Sequence, residues 1–202
     1  VKLQLALDRL TREESIRITK ETEESIDIIE IGTGVIKEYG MSIIREFRAL
    51  FPDKTILADM KTCDAGKHEA RQAFEAGADI TTVMAFSSDL TIKDTLQVAE
   101  EMGRRVMIDL LEVDSRERVA ELKELGVELV SLHVGKDKQT EGKFNTRLFE
   151  LVDGFDFEVA VAGGINLENL PAIIEHKPDI VIAGSSITAA KAPGKIAAKM
   201  KK

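Results

Sequence analysis

The chain is poor in the residues that staple or anchor a protein. Its 202 residues include one cysteine, one tyrosine, four prolines and no tryptophan. A single thiol, Cys63, excludes an internal disulfide and any metal site built on two cysteines. The setting expected from this is reduced and cytoplasmic. With aromatics at only 4% of residues, the core has to be built from Ile, Val, Leu and Ala. A chain of this length can bury enough of them without staples. No apolar run is long enough to span a bilayer. The opening "VKLQLALD" reads as a strand and lacks a signal-peptide layout. Acids outnumber bases, with 36 Asp and Glu against 28 Lys and Arg. A formal net charge of −8 argues against a nucleic-acid partner or an anionic membrane surface. It leaves room for a local phosphate site, where a few groups can oppose the global charge.

What the chain does have is alternation. Short apolar runs rich in Val and Ile predict strands over 2–7, 26–31, 55–60 and 79–84, then over 105–110, 128–133, 157–162 and 179–184. Their nearly continuous apolarity suits parallel strands covered by helices. Helix signals lie between them. Thr11 with Glu14 has the spacing of a capping box, and Asp114 with Glu117 repeats it. Val119, Leu122 and Leu125 recur at helical spacing, as do Leu167, Leu170 and Ile174, with Asn166 as the N-cap of the latter helix. Eight units of about 25 residues predict an α/β chain forming a single (β/α)8 TIM barrel over residues 1–202. The rival, an open doubly wound sheet, usually has fewer strands and often a Gly-rich first turn. Here "DRLTREE" follows the first strand.

In a barrel, the C-terminal strand ends build the active site. The predicted ends carry Asp8, Glu30, Asp59, Lys61, Asp109 and His133, then Gly163-Gly164 and Gly184-Ser185-Ser186. The densest signal is "ADMKTCDAG" over 58–66. Strand alternation directs Asp59 and Lys61 to one side, with Asp64 at the start of the next helix. A lysine held between acids stays charged. It can then donate to a developing enolate oxygen. The plainer alternative is an Asp59–Lys61 ion pair with Asp64 as an N-cap; acids and a histidine at other strand ends weigh against it.

Glu30 and Asp59 are candidate ligands for Mg2+, which leaves coordination positions for substrate oxygens. Otherwise Glu30 is a partner for Lys61. Asp8 and Asp109 are expected to hold Lys61 and ordered waters in place. His133 is the candidate general acid–base, because its ordinary pKa lies near neutral. His68 and His176 are expected on the surface, and Cys63 is read as packing. The "VAGGIN" and "VIAGSSI" segments resemble a phosphate cradle, with Gly163, Gly164, Gly184 and Ser185 presenting backbone amides.

Taken together, "QLALD", "EIGTGVIKEYG", "LADMKTCDAG", "MIDLLEV", "LHVGKDKQ", "VAVAGGI" and "VIAGSSIT" resemble the orotidine 5′-phosphate decarboxylase superfamily, and within it the 3-hexulose-6-phosphate synthases. The resemblance spans essentially the whole chain. It implies a barrel, typically a homodimer with sites near the subunit interface, and Mg2+-dependent, reversible aldol chemistry between formaldehyde and D-ribulose 5-phosphate. The implied mechanism has His133 removing a proton from C1, with Lys61 and the cation stabilising a 1,2-enediolate. A near relative is 3-keto-L-gulonate-6-phosphate decarboxylase, whose sixth-strand motif reads like H-R-S-R-D. Here the segment is His133, Val134, Gly135, Lys136, Asp137, with Lys136 where the second arginine stands. Thr62 and "DLLEV" look more synthase-like. The competing classes are a phosphosugar epimerase or isomerase, against which the D-x-K-x-x-D cluster argues, and a non-catalytic phosphosugar-binding barrel. A mere binder need not keep an acid–Lys–His set.

Overall fold

A computed structural model describes residues 1–139 and 144–202. Its strands are β1 (Lys2–Leu7), β2 (Ile28–Ile31), β3 (Thr55–Thr62), β4 (Ile80–Met84), β5 (Arg105–Asp109), β6 (Leu129–His133), β7 (Glu158–Ala162) and β8 (Ile180–Ala183). All neighbours are parallel, and the order β1 to β8 closes into a barrel through pairs such as Leu3↔Val181 and Leu5↔Ala183. The fold is a (β/α)8 barrel, and each expected strand lies within two residues of an observed one.

Both strand faces are apolar because both are buried. Leu3, Leu5 and Leu7 point outward and pack with Ile18, Phe47 and Ile92 between barrel and helices. The inward row is a second cluster that includes Ile28, Leu57, Ile80, Met107, Leu129 and Ile180. Each such side chain contributes roughly 1.5–3 kcal/mol on burial. Two residues further along, on the same inward face, several strands turn polar: Glu30 follows Ile28, Asp59 follows Leu57, Thr82 follows Ile80 and Asp109 follows Met107. The apolar layers are thus the floor of a polar mouth.

The caps differ in detail from the sequence expectation. The Thr11–Glu14 capping box is present in both directions. At Arg116–Glu124 the cap is Ser115, whose side chain accepts from the Arg118 N–H, and not Asp114. Ser and Asp are near-equal caps, so adjacent candidates compete within one residue. Asn166 caps a turn by accepting from the N–H groups of Glu168 and Asn169, and the helix proper begins at Leu170. That helix is short, so Ile173 is its buried contact, while Leu167 and Ile174 are exposed at 37% and 36%. After β6 the described residues make two 3-10 segments, Lys136–Lys138 and Thr146–Leu151, and no α-helix occurs among them before β7. The charged "GKDK" start supplies no apolar face for a longer one. Among the described residues, no helix is long and apolar enough to cross a membrane.

Candidate active site

The barrel mouth holds a cavity of about 450 Å³ lined by Asp8, Glu30, Asp59, Lys61, Asp109 and His133, and by the glycine segments that follow β7 and β8. Asp59 and Asp109 are buried at 7% and 4% exposure. Between them sits Lys61, its Nζ 3.0 Å from Asp59 Oδ2 and 3.0 Å from Asp109 Oδ2.

This convergence needs an irregular strand. From Ala58 to Thr62, β3 advances four residues while β4 advances two, from Thr81 to Val83. The bulge places Lys61 at φ 47°, in the left-handed region, and its N–H goes to Thr82 Oγ1 at 2.9 Å. A non-glycine residue there costs about 1–3 kcal/mol, which the surrounding contacts must offset. Thr82 Oγ1 also donates to Asp59 Oδ1 at 2.8 Å, and Thr33 Oγ1 donates to Oδ2 at 2.9 Å.

Asp109 continues the chain of contacts. Both of its oxygens lie 3.0 Å from His133 Nδ1, and Oδ1 also accepts the Leu111 N–H at 2.9 Å. An Nδ1–H donated to Asp109 leaves Nε2 as the basic nitrogen. Burial alone would push the Asp109 carboxyl up, but the His133 hydrogen bond and charge, with Lys61, hold it below the usual range. Burial pulls Lys61 and His133 down, yet the neighbouring aspartates outweigh it and raise both. These three groups compensate one another.

Glu30 is different. Burial, then the like charge of Asp59, pushes its carboxyl up to about 7, against the opposing Gln4 hydrogen bond. Gln4 Nε2 donates to Glu30 Oε2 at 2.6 Å. Two facing carboxylates, one short of positive charge, are a donor set that could hold a hard divalent cation. No group of three or more His, Cys, Asp or Glu able to hold a metal occurs among the described residues. Water and substrate oxygens would therefore complete the shell.

The remaining expected residues fall in several places. Gly163, Gly164, Gly184 and Ser185 all line the cavity. Gly163 has φ 110°, and a Cβ there would lie 2.4 Å from the Val134 carbonyl oxygen, so the close approach needs glycine. Asp8 lines the mouth but does not hold Lys61; it is exposed, and its Oδ1 accepts the Gly34 N–H at 2.8 Å, pinning the turn after β2. Asp64 is exposed and outside the cavity of its own chain, and it is not an N-cap: Ala65 holds that position without a side-chain bond. The bulge and the left-handed Ala65, φ 54°, redirect the chain there. Cys63 is exposed, which corrects the packing reading. His68 and His176 are on the surface, the latter stacked on Phe149. Sequence reasoning missed Gln4, Thr33 and Thr82. Gln4 had a signal: it is a polar residue at an inward position of an otherwise apolar strand.

The model of the orotidine 5′-phosphate decarboxylase / HUMPS family matches residues 1–200. This chain belongs to that family. Among the family's curated members, the 3-hexulose-6-phosphate synthase of Bacillus subtilis is 40% identical over all of this chain and 97% of its own length. The structure of 3-hexulose-6-phosphate synthase from Salmonella typhimurium superposes with a TM-score of 0.96 at 35% identity, covering 100% of this chain and 97% of that one. A KGPDC from Streptococcus mutans gives 0.89 at 27% identity, covering 98% and 94%.

Proposed function

We propose that this chain is an aldolase-type lyase that condenses formaldehyde with D-ribulose 5-phosphate, reversibly, to 3-hexulose 6-phosphate. The observation that carries the reading is the compensated His133–Asp109–Lys61 chain in the mouth of a barrel whose relatives, at 34–40% identity over nearly their full lengths, bear the synthase name. His133 Nε2 takes the proton from C1 of the sugar. Lys61, kept charged by Asp59 and Asp109, donates to the oxygen on which negative charge develops as the 1,2-enediolate forms. C1 then attacks the formaldehyde carbon; a C–C bond forms, the carbonyl pair moves to oxygen, and that alkoxide takes a proton returned by His133. A divalent cation such as Mg2+, held by Glu30 and Asp59, would polarise the ketone as a Lewis acid. The glycine segments 163–164 and 184–185 bind the phosphate through backbone N–H groups.

The reading extends to a homodimer. Asp64 is exposed after β3, and Phe86 and Leu90 after β4 are exposed large hydrophobics at 60% and 68%. The helix after Asp64, Gly66–Glu75, and the helix that carries Leu90, Asp89–Met102, touch closely, since a Cβ on Gly66 would meet the Thr91 carbonyl oxygen at 2.5 Å. A second copy covering this apolar rim would bring Asp64 toward its site. Sedimentation equilibrium should then give twice the mass of the chain, and Phe86→Glu should give the monomer.

The test of the activity is an assay of purified protein with D-ribulose 5-phosphate and formaldehyde beside one with 3-keto-L-gulonate 6-phosphate. Condensation with a much higher kcat/KM is expected. Faster decarboxylation would reverse the assignment in favour of the KGPDC-like reading.

A further inference from the structure

Gln4 is an amide in an apolar layer. It points into the barrel from β1, opposite Ile28 of β2 and Ile182 of β8 in register, and it is 0% exposed. Its orientation follows from its neighbour: with Glu30 ionised, only the NH2 end can serve the carboxylate. With Nε2 committed to Glu30, Oε1 is buried and has no hydrogen-bond partner among the described residues. An apolar residue of similar size would avoid the cost of burying an unpaired carbonyl, about 1–3 kcal/mol. Yet this atom belongs to a residue that lines the same cavity as Glu30, Asp59 and Lys61. A carboxylate at this position would add another negative charge beside Glu30, which is already under-compensated.

We infer that Gln4 is a positioning residue: its NH2 fixes the Glu30 carboxylate, and its free Oε1 accepts a hydrogen bond from an O–H group that arrives with the ligand. The inference rests on the proposed cation and sugar-phosphate site. The O–H donor is either a water in the cation's shell or a hydroxyl of the sugar, and the two are separable.

The experiment compares wild type with Gln4→Met, which keeps the volume and removes both polar ends. Mn2+ affinity is read by electron paramagnetic resonance without sugar, kcat and KM with D-ribulose 5-phosphate and formaldehyde, and thermal unfolding in the same buffer. Partners of this kind typically change metal affinity or activity by about 10–100-fold. Weaker Mn2+ binding in Gln4→Met supports the positioning of Glu30, and an oxygen donor on Oε1 in the Mn2+-bound wild-type crystal structure then identifies a water of the cation's shell. Unchanged Mn2+ binding with a raised KM identifies a sugar hydroxyl. The unfolding temperature reports two opposed changes, loss of the unpaired Oε1 and loss of the Nε2 donor to buried Glu30, and it serves to show that the variant is folded in the assay. Wild-type values for both, or a loss of stability with ligand binding intact, would overturn the role. Wild type that binds no Mn2+ and turns over no sugar phosphate would defeat the underlying site reading instead. If Gln4→Met does not fold, the wild-type crystal structure with Mn2+ and D-ribulose 5-phosphate decides: an oxygen donor within hydrogen-bond distance of Oε1 supports the role, and an unpartnered Oε1 overturns it.

Discussion

The two sides of the barrel mouth solve the same electrostatic problem differently. Around β3, β5 and β6, Lys61 is shared by two aspartates and His133 leans on one of them, so each buried charge meets an opposite one. Around β1 and β2, burial and the like charge of Asp59 outweigh the Gln4 hydrogen bond and the more distant charges of Lys61 and His133, and the Glu30 carboxyl rises to about 7. The first side is organised before substrate arrives. The second keeps one carboxylate under-compensated. A site can thus be preorganised for proton transfer while one part of it stays in electrostatic deficit, which the proposed cation would fill.

The largest expected effect comes from breaking the compensated side. Lys61→Ala should lower kcat on the order of 10²-fold or more, as loss of one oxyanion donor does. The protein should stay folded, because Lys61 lies above the packed layers. Steady-state kinetics with circular dichroism on the same sample checks both.

The deficit side should respond in the opposite sense for stability. Below about pH 4.5 the Glu30 carboxyl is protonated in both folded and unfolded chains and costs nothing. Between there and about 7 the unfolded chain ionises first, so stability falls as pH rises, and the loss is complete above about 7. Glu30→Gln removes that loss. At pH 8 without divalent cations it should be more stable than wild type, by on the order of 3 kcal/mol from a shift of this size. Denaturant melts at pH 4.5 and pH 8 test this; an equal difference at both pH values would count against it. The same variant should lose cation binding.

A smaller effect sharpens the contrast. His133 is raised by Asp109, so the acid limb of kcat/KM should lie above the ordinary histidine range, near 6.5. Asp109→Asn should move that limb to lower pH. A limb that stays in place would assign it to another group.

How much of this could be read in the sequence follows from the same physics. The eight strands were legible because burial on both faces writes long Val/Ile runs. The rim was legible because side chains alternate, so an acid two residues after an inward apolar residue lands at the mouth. The bulge at Lys61 was not legible: no glycine or asparagine marks it, and the contacts that hold it come from β4 and β5. The position of Asp64 outside its own chain's cavity was not legible for the same reason, since the chain turns away just beyond the bulge. Gln4 stood out as an inward polar residue, but its partner Glu30 followed only from the β1–β2 register that pairs Ala6 with Glu30. Ser115 and Asp114 compete as caps within one residue, and pattern alone does not separate them.

The central claim is that His133, backed by Asp109, removes the C1 proton before any carbon–carbon bond forms. Exchange of that proton with D2O, followed by NMR on D-ribulose 5-phosphate without formaldehyde, tests it most directly. The account predicts exchange in wild type and its collapse in His133→Ala, with the variant folded. Exchange at the wild-type rate in His133→Ala would contradict it and place the base elsewhere in the site.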